Sequence, residues 1–318
     1  EIVFRPLAEK TWGDPHTLSA DMAKRRIPTK NMLELILRLL KLKKESKLTN
    51  AELILYPYRG FYDFCESTAR RIQELGGNIR LNRRPVKFLI QDKRVKTVIF
   101  DDASQEECDL LISSIPLNEL FRLLFPKEEN IPEQANFFQM RHSIIVYVLL
   151  NKPRAINEQW VFCADKDLIF SRISEQKNSS NHGLPEDKTV VCCDFTSAED
   201  DPVWNAPDAV ITERCIQGLQ KLKVLTQDQV LETRVVRIPN FYPRYEVNFE
   251  GKRKILFEKI NRIENVICTG RLGLADYCNV DHCLEMAIFI AERLLRKEQP
   301  TLINTGLLEH AQSFRIVD

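Results

Sequence analysis

The sequence predicts an α/β fold with an α+β part, and three observations carry that prediction. Residues 265–297 read as a buried strand, a glycine-containing turn and an amphipathic helix. Residues 52–116 read as an extended stretch, a helix, several short strands and a returning apolar strand. Residues 117–256 alternate longer apolar strands with one amphipathic helix. Switching between a period near 2 and a period near 3.6 marks which segments are strands and which are helices.

In chain order, residues 1–50 read as helical, with Ser19-Ala20-Asp21 opening a short helix that runs to Arg25-Arg26-Ile27. Residues 30–44 are apolar with a basic fringe, and read as a packed helix or, alternatively, a helix on a membrane surface. Leu53 to Pro57 is extended, and Gly60 precedes a helix from Phe61 to Leu75. In that helix Phe61, Phe64, Cys65, Thr68, Ala69, Ile72 and Leu75 recur with helical period. Gly76-Gly77 supplies its left-handed C-terminal cap. Strands are expected at Asn78 to Leu81, Val86 to Ile90 and Val95 to Phe100, with turns at Asp92-Lys93-Arg94 and at 101–104. Leu110 to Ser114 reads as a buried strand that ends at Ile115-Pro116.

Beyond it, Ser143 to Leu150 reads as a buried strand, and Trp160 to Phe162 with Leu168 to Arg172 as a hairpin. Further strands are expected at Lys188 to Phe195 and Thr233 to Ile238, and a helix at Ala209 to Leu222. Residues 176–187 form a loop, and residues 301–318 read as a tail, because Pro300, Asn304 and Gly306 interrupt helical pattern.

Composition excludes several classes. Lys+Arg is 46 against 45 Asp+Glu, so no nucleic-acid-binding stripe is indicated. No apolar run is long enough to span a bilayer and no signal-peptide pattern is visible. None of the nine cysteines forms Cys-x-x-Cys, and Cys192-Cys193 point to opposite faces of a strand. Cys278 and Cys283 bracket His282 at a spacing that is no zinc signature. No metal site is expected; the cysteines read as small buried hydrophobes in a reducing, cytoplasmic compartment.

The stretch Gly270-Arg271-Leu272-Gly273-Leu274, with Tyr277, Asn279, Asp281 and His282, is the most specific in the chain. It resembles the last strand and helix of the flavoproteins related to amine oxidases, protoporphyrinogen oxidases, phytoene desaturases and UDP-galactopyranose mutases. Phe4 to Gly13 resembles that family's Trp-Gly stretch, and Tyr56-Pro57-Tyr58-Arg59-Gly60 its Tyr-Pro-Gly loop. The 52–116 unit is similar to the middle of its flavin-binding domain.

The resemblance implies an incomplete FAD/NAD(P)-binding Rossmann-like domain interleaved with a mixed-sheet substrate domain. Its segments would be 51–116 and 257–300 for the cofactor, 117–256 for substrate, and 1–50 as a helical part of the substrate domain. Gly60, Val86, Ser114, Gly270 and Arg271 are implied to line the FAD site, with Ser113 beside Ser114. The N–H groups of Val280 and Asp281 would face the flavin ring, where a helix N-terminus stabilises negative charge. Arg59, Tyr242, Arg244, Tyr277 and His282 are candidates for contact with a small-molecule substrate. No catalytic acid, base or nucleophile is assigned.

No Gly-x-Gly-x-x-Gly occurs, although a flavoprotein of this kind needs that motif to cradle the pyrophosphate. The chain starts at Glu1 and is expected to be the C-terminal portion of a longer protein, or to have that half supplied by another chain. On this reading it binds FAD weakly or not at all alone. With the missing half it would be an FAD-dependent oxidoreductase that oxidises a C–N or C–C bond. The alternatives are a UDP-galactopyranose-mutase-like enzyme and a non-catalytic fragment.

Overall fold

The computed structural model describes residues 4–20, 56–126 and 138–314. Helix α1 (Phe4–Trp12) is followed by α2 (Phe61–Glu74) and the strands β1 (Pro85–Gln91), β2 (Arg94–Phe100), β3 (Gln105–Glu107) and β4 (Leu111–Ser113). Next come α3 (Leu117–Leu124), β5 (Met140–Leu150), β6 (Trp160–Phe162), β7 (Arg172–Glu175) and β8 (Thr189–Ser197). Then follow α4 (Asp208–Lys221), β9 (Val230–Pro243), α5 (Phe249–Ile260) and β10 (Val266–Cys268). The chain continues through α6 (Gly270–Gly273) and α7 (Val280–Leu295) to α8 (Pro300–Ala311). This is an α/β fold, and it divides into two interleaved compact units.

Of the described residues, the first unit holds 4–17, 56–80 and 140–242. Its sheet has the order β6-β7-β8-β5-β9, and β5–β8, β6–β7 and β7–β8 pair antiparallel. Every second residue of β8 is buried, as the period of 2 requires. Ile144, Val146, Val148, Val191 and Cys193 form its core with Ile211, Cys215 and Leu219 of α4. Buried Glu175 is held as an acceptor: the Ala155 and Ile156 N–H groups donate to it at 3.0 and 2.7 Å, and the Thr189 hydroxyl at 2.5 Å. The 176–188 loop is gathered around the Lys177 ammonium, which donates to the carbonyls of Pro153, Pro185, Glu186 and Lys188 at 2.8–3.1 Å.

Of the described residues, the second unit holds 18–20, 81–126, 138–139 and 243–314. It contains the antiparallel sheet β1-β2-β3 and a two-stranded parallel sheet of β4 and β10, paired Val266↔Leu111, Ile267↔Ile112 and Cys268↔Ser113. Leu117, Leu120 and Phe121 of α3, Leu256, Phe257 and Ile260 of α5, all three β10 residues and Ile303 and Leu307 of α8 are buried there. Asn265 ties the two sheets, accepting from Val95 N–H at 2.8 Å and donating to the carbonyls of Val95 and Asp109.

The structure corrects four sequence expectations. Residues 78–81 form no strand; the third strand of the meander is β3. Asp102 accepts from the Ser104 N–H and Ala103 adopts φ +62°, so the chain folds back after β2. The partner of β6 is β7, a few residues beyond Leu168 to Arg172. Residues 300–311 are a helix, not a tail: Pro300 sits at its first position, where the missing N–H costs nothing, and Asn304 is fully buried. Helix α2 belongs to the unit of the five-stranded sheet and not to that of the meander. The helices expected at 21–27 and 30–44 lie outside the described residues. Among the described residues no helix is long and apolar enough to cross a membrane.

Candidate functional site

The connection from β10 to α7 is built on the ends of two parallel strands. Thr269 N–H donates to Ser113 O at 2.9 Å, so the chain turns while still paired to β4. Gly270 then takes φ +74°, a left-handed conformation that a side chain disfavours. A Cβ on Gly270 would sit 3.7 Å from Ser114 Cβ, an ordinary contact, so backbone conformation rather than space calls for glycine. Gly273 is the reverse case. A Cβ there would lie 2.7 Å from Ser113 O and 3.2 Å from Ser114 Cα. Gly273 therefore lets α6 rest on the end of β4. Sequence reasoning did not single it out, although the Gly270-x-x-Gly273 spacing was visible.

Asn279 is the N-cap of α7. Its side chain accepts the His282 N–H, and His282 Nδ1 accepts the Asn279 N–H at 3.0 Å. This reciprocal box follows capping-box logic with histidine in the place usually taken by Glu or Gln. The His282 ring is buried, with its centre 4.6 Å from that of Phe314. The role that the geometry gives His282 is thus to fix the helix start. Val280 and Asp281 supply the first two N–H groups of this 16-residue helix, both outside the box, at the positive end of its dipole.

Arg271 faces its own loop. Nε donates to Cys278 O at 2.7 Å, Nη2 donates to the same carbonyl, and the guanidinium lies 5.5 Å from the Tyr277 ring centre. Tyr277 is buried edge-on against Tyr245, at 6.1 Å and 87°. Below the loop, Arg253 and Asp276 form a buried ion pair at 3.3 Å, and Arg253 also meets Glu250 at 2.6 Å. A buried pair of this kind fixes geometry more than it adds stability.

Two thiols meet here. Cys278 Sγ lies 3.8 Å from Cys283 Sγ, the first buried and the second half-buried. The contact with Cys278, in which either thiol can donate, lowers the Cys283 pKa to about 6. The Arg271 backbone N–H and charge act in the same direction, against burial and Asp281. Cys278 is pushed up by that contact and by burial.

The structure therefore brings Ser114, Gly270, Arg271, Tyr277, Val280, Asp281 and His282 to one connection. Val86 and Arg244 are held by other elements of the second unit. Val86 is exposed on β1, and Arg244 Nη1 donates to Gln139 Oε1 at 3.1 Å and to Glu246 at 3.3 Å. Gly60, Arg59 and Tyr242 belong to the first unit. Gly60 caps α2 with φ +87° and donates to Pro57 O at 2.8 Å; Arg59 lies 3.6 Å from Asp63, and Tyr242 packs 5.4 Å from Trp12. A surface hollow of about 710 Å³ in the first unit is lined by α4 and β9 residues such as Asp208, Glu213 and Arg234; no candidate residue lines it. Among the described residues no cluster of three or more His, Cys, Asp or Glu could hold a metal.

No protein-family model and no curated protein matches the sequence. Solved structures do. UDP-galactopyranose mutase in its reduced form matches with a TM-score of 0.76 at 16% identity, over 99% of this chain and 69% of that one. A protein from Exiguobacterium sp. 255-15, proposed to be a protoporphyrinogen oxidase, matches at 0.61 and 17% identity, over 94% and 60%. A putrescine oxidase redesigned in its cofactor binding matches at 0.52 and 12% identity, over 76% and 54%. The chain thus spans roughly half to two thirds of the length of these proteins, and at such identities the likeness is one of fold: the chain has the α/β architecture of these enzymes.

Proposed function

We propose that this chain is the larger part of an FAD-dependent flavoenzyme of the amine-oxidase type, completed by a glycine-rich βαβ unit. That unit would come from a preceding segment or from a partner chain. The reading rests chiefly on the β4–β10 pair and what its turn presents. A two-stranded parallel sheet is too small to stand alone, and parallel strands are normally covered on both faces. Asn304 occupies the edge of β10 opposite β4, whereas Ile112 of β4 is 46% exposed. Along α7, Val280, Leu284 and Ile288 form an exposed apolar stripe. One more parallel strand beside β4, with its helix over α7, would cover both.

The residues present fit part of an FAD site. Gly270 gives the tight strand end, and the N–H groups of Val280 and Asp281, at the helix start, would meet an electron-rich ring edge. Arg271, engaged with Cys278 O, positions the loop instead of neutralising phosphate. FAD, when bound, supplies hydride acceptance from a C–N or C–C bond; the protein orients and tunes it. A small-molecule substrate is proposed, and a cytoplasmic setting. The second reading, a mutase acting on a nucleotide sugar, draws on the 0.76 TM-score with UDP-galactopyranose mutase. Its weak point is the arginine–aromatic cluster that a uridine diphosphate needs, because Arg244 is already bonded to Gln139 and Glu246.

The test is a titration of the purified chain with FAD, followed by flavin fluorescence, with and without a glycine-rich βαβ segment supplied in cis or in trans. Weak binding alone and tight stoichiometric binding with the segment are expected. Tight binding by the chain alone would overturn the need for a completing unit; no binding in either case would remove the flavoenzyme reading. On the completed protein, oxygen- or dye-coupled oxidation of amines separates the first reading from the second, which predicts ring isomerisation of a nucleotide sugar without net oxidation.

A further inference from the structure

Two groups of cysteines in this chain occur in contrasting settings. Cys193 is buried in the apolar core beside Cys215, and burial together with the Cys215 bond pushes its thiol well up. Cys268 lies in the wholly buried β10, and burial alone pushes it to about 12. Such thiols behave as small hydrophobes. Cys278 and Cys283 also face each other, at 3.8 Å, but differ in two ways: an arginine lies beside them, and Cys283 is only half-buried.

We infer that Cys283 and Cys278 form a thiol–disulfide exchange site, with Cys283 as the attacking thiolate and Cys278 as the resolving thiol, open to small-molecule disulfides. The geometry carries it. A disulfide needs an Sγ–Sγ distance of about 2.05 Å, so the sulfurs, 3.8 Å apart, have about 1.8 Å to close. The electrostatics agree: the contact with Cys278, then the Arg271 backbone N–H and guanidinium, favour charge on Cys283, while the contact with Cys283 and then burial push the Cys278 thiol up.

The step balances. The Cys283 thiolate attacks one sulfur of the disulfide RSSR; its S–S bond breaks, a Cys283–SR bond forms, and RS⁻ leaves and takes a proton. Cys278 then loses its proton to solvent and attacks Cys283 Sγ, forming the protein disulfide and releasing the second thiol. Two protein thiols are oxidised by two electrons and RSSR is reduced to two RSH. The new bond would span Asn279 to His282, the cap that sets the start of α7. The inference is independent of the flavin reading, since it concerns only these thiols.

The full chain, first reduced and then freed of reductant, is equilibrated with oxidised glutathione, quenched with N-ethylmaleimide and mapped by mass spectrometry. Wild type should lose two hydrogens on the peptide that carries Cys278 and Cys283, with no glutathione retained and no maleimide added there until it is reduced. Cys278→Ser should stop at a mixed disulfide, gaining one glutathionyl group on Cys283. Cys283→Ser should gain neither modification at Cys278. If both wild-type thiols still take maleimide, or if wild type stops at the mixed disulfide, the inference is overturned. Because that readout uses wild type, it stands even if Cys278→Ser folds poorly.

Discussion

The Asn304 carboxamide accepts the Cys268 N–H at 2.9 Å. It also donates to Val266 O and to Asn261 Oδ1, both at 2.9 Å, and is wholly buried. One side chain thus takes the place of a neighbouring strand along β10. That closes one side of the parallel pair and leaves growth of the sheet to β4.

Asn304→Ala should destabilise the second unit by on the order of 3 kcal/mol, because it leaves a buried N–H and a buried carbonyl without partners. Asn304→Asp, which keeps the acceptor but loses both donated bonds, should not restore stability. Denaturant unfolding with a probe in the second unit measures this; a loss below about 1 kcal/mol for the alanine variant would show that water or a local shift replaces the amide.

Gly273→Ala should cost more stability than Gly270→Ala. The first must push Ser113 and Ser114 backbone away, an overpacking cost of about 1–3 kcal/mol. The second adds only the left-handed conformational cost of about 1–2 kcal/mol. In the completed flavoprotein, Gly270→Val should abolish flavin retention, read from the visible spectrum. Full flavin at the wild-type melting temperature would remove the β10–α7 connection as the cofactor site.

His282→Ala should lower stability by about 1 kcal/mol, the scale of a lost helix cap, and should leave flavin retention nearly intact. A loss of flavin at unchanged stability would instead place His282 in the binding site. His282→Gln, which restores the acceptor of a capping box, should recover most of the stability.

Alkylation of Cys283 by iodoacetamide should rise with pH through about 6 and be flat above 7. The groups that set this are Cys278 and Arg271, which favour the thiolate, and Asp281, which opposes it. At pH 7 Cys283 should be alkylated faster than a buried thiol whose pKa is raised, such as Cys268. Cys278→Ala, which removes the contact, should move the midpoint upward. A midpoint near 9.0 in the wild type would refute the reading of this pair.

Glu175→Leu should destabilise the first unit by about 3 kcal/mol, since the Ala155 and Ile156 N–H groups would be buried without an acceptor. Glu175→Gln should be far milder: its oxygen can accept both N–H groups and its amide can donate to the Thr189 hydroxyl. Comparing the two variants by thermal unfolding separates a need for hydrogen bonds from a need for charge.

What the sequence determined by itself was local. The strand expected at Lys188 to Phe195, the apolar run 266–268, the helical spacing from Phe61 and the cap at Gly76 with φ +84° are all present in the structure, because neighbouring residues set them. The strand–turn–helix around Gly270 was legible for the same reason. The tertiary structure alone decided which strands are neighbours and which side chains are already in use. It paired Cys268 with Ser113 across more than a hundred residues, turned 300–311 into a buried helix around Asn304, and showed Gly273 against Ser113 O. It also committed Arg271 to Cys278 O and His282 to Asn279 N–H, and set two thiols face to face. Hydrogen-bond partners and close approaches depend on where the chain returns in space, and residue type constrains that return only through the packing of the whole unit.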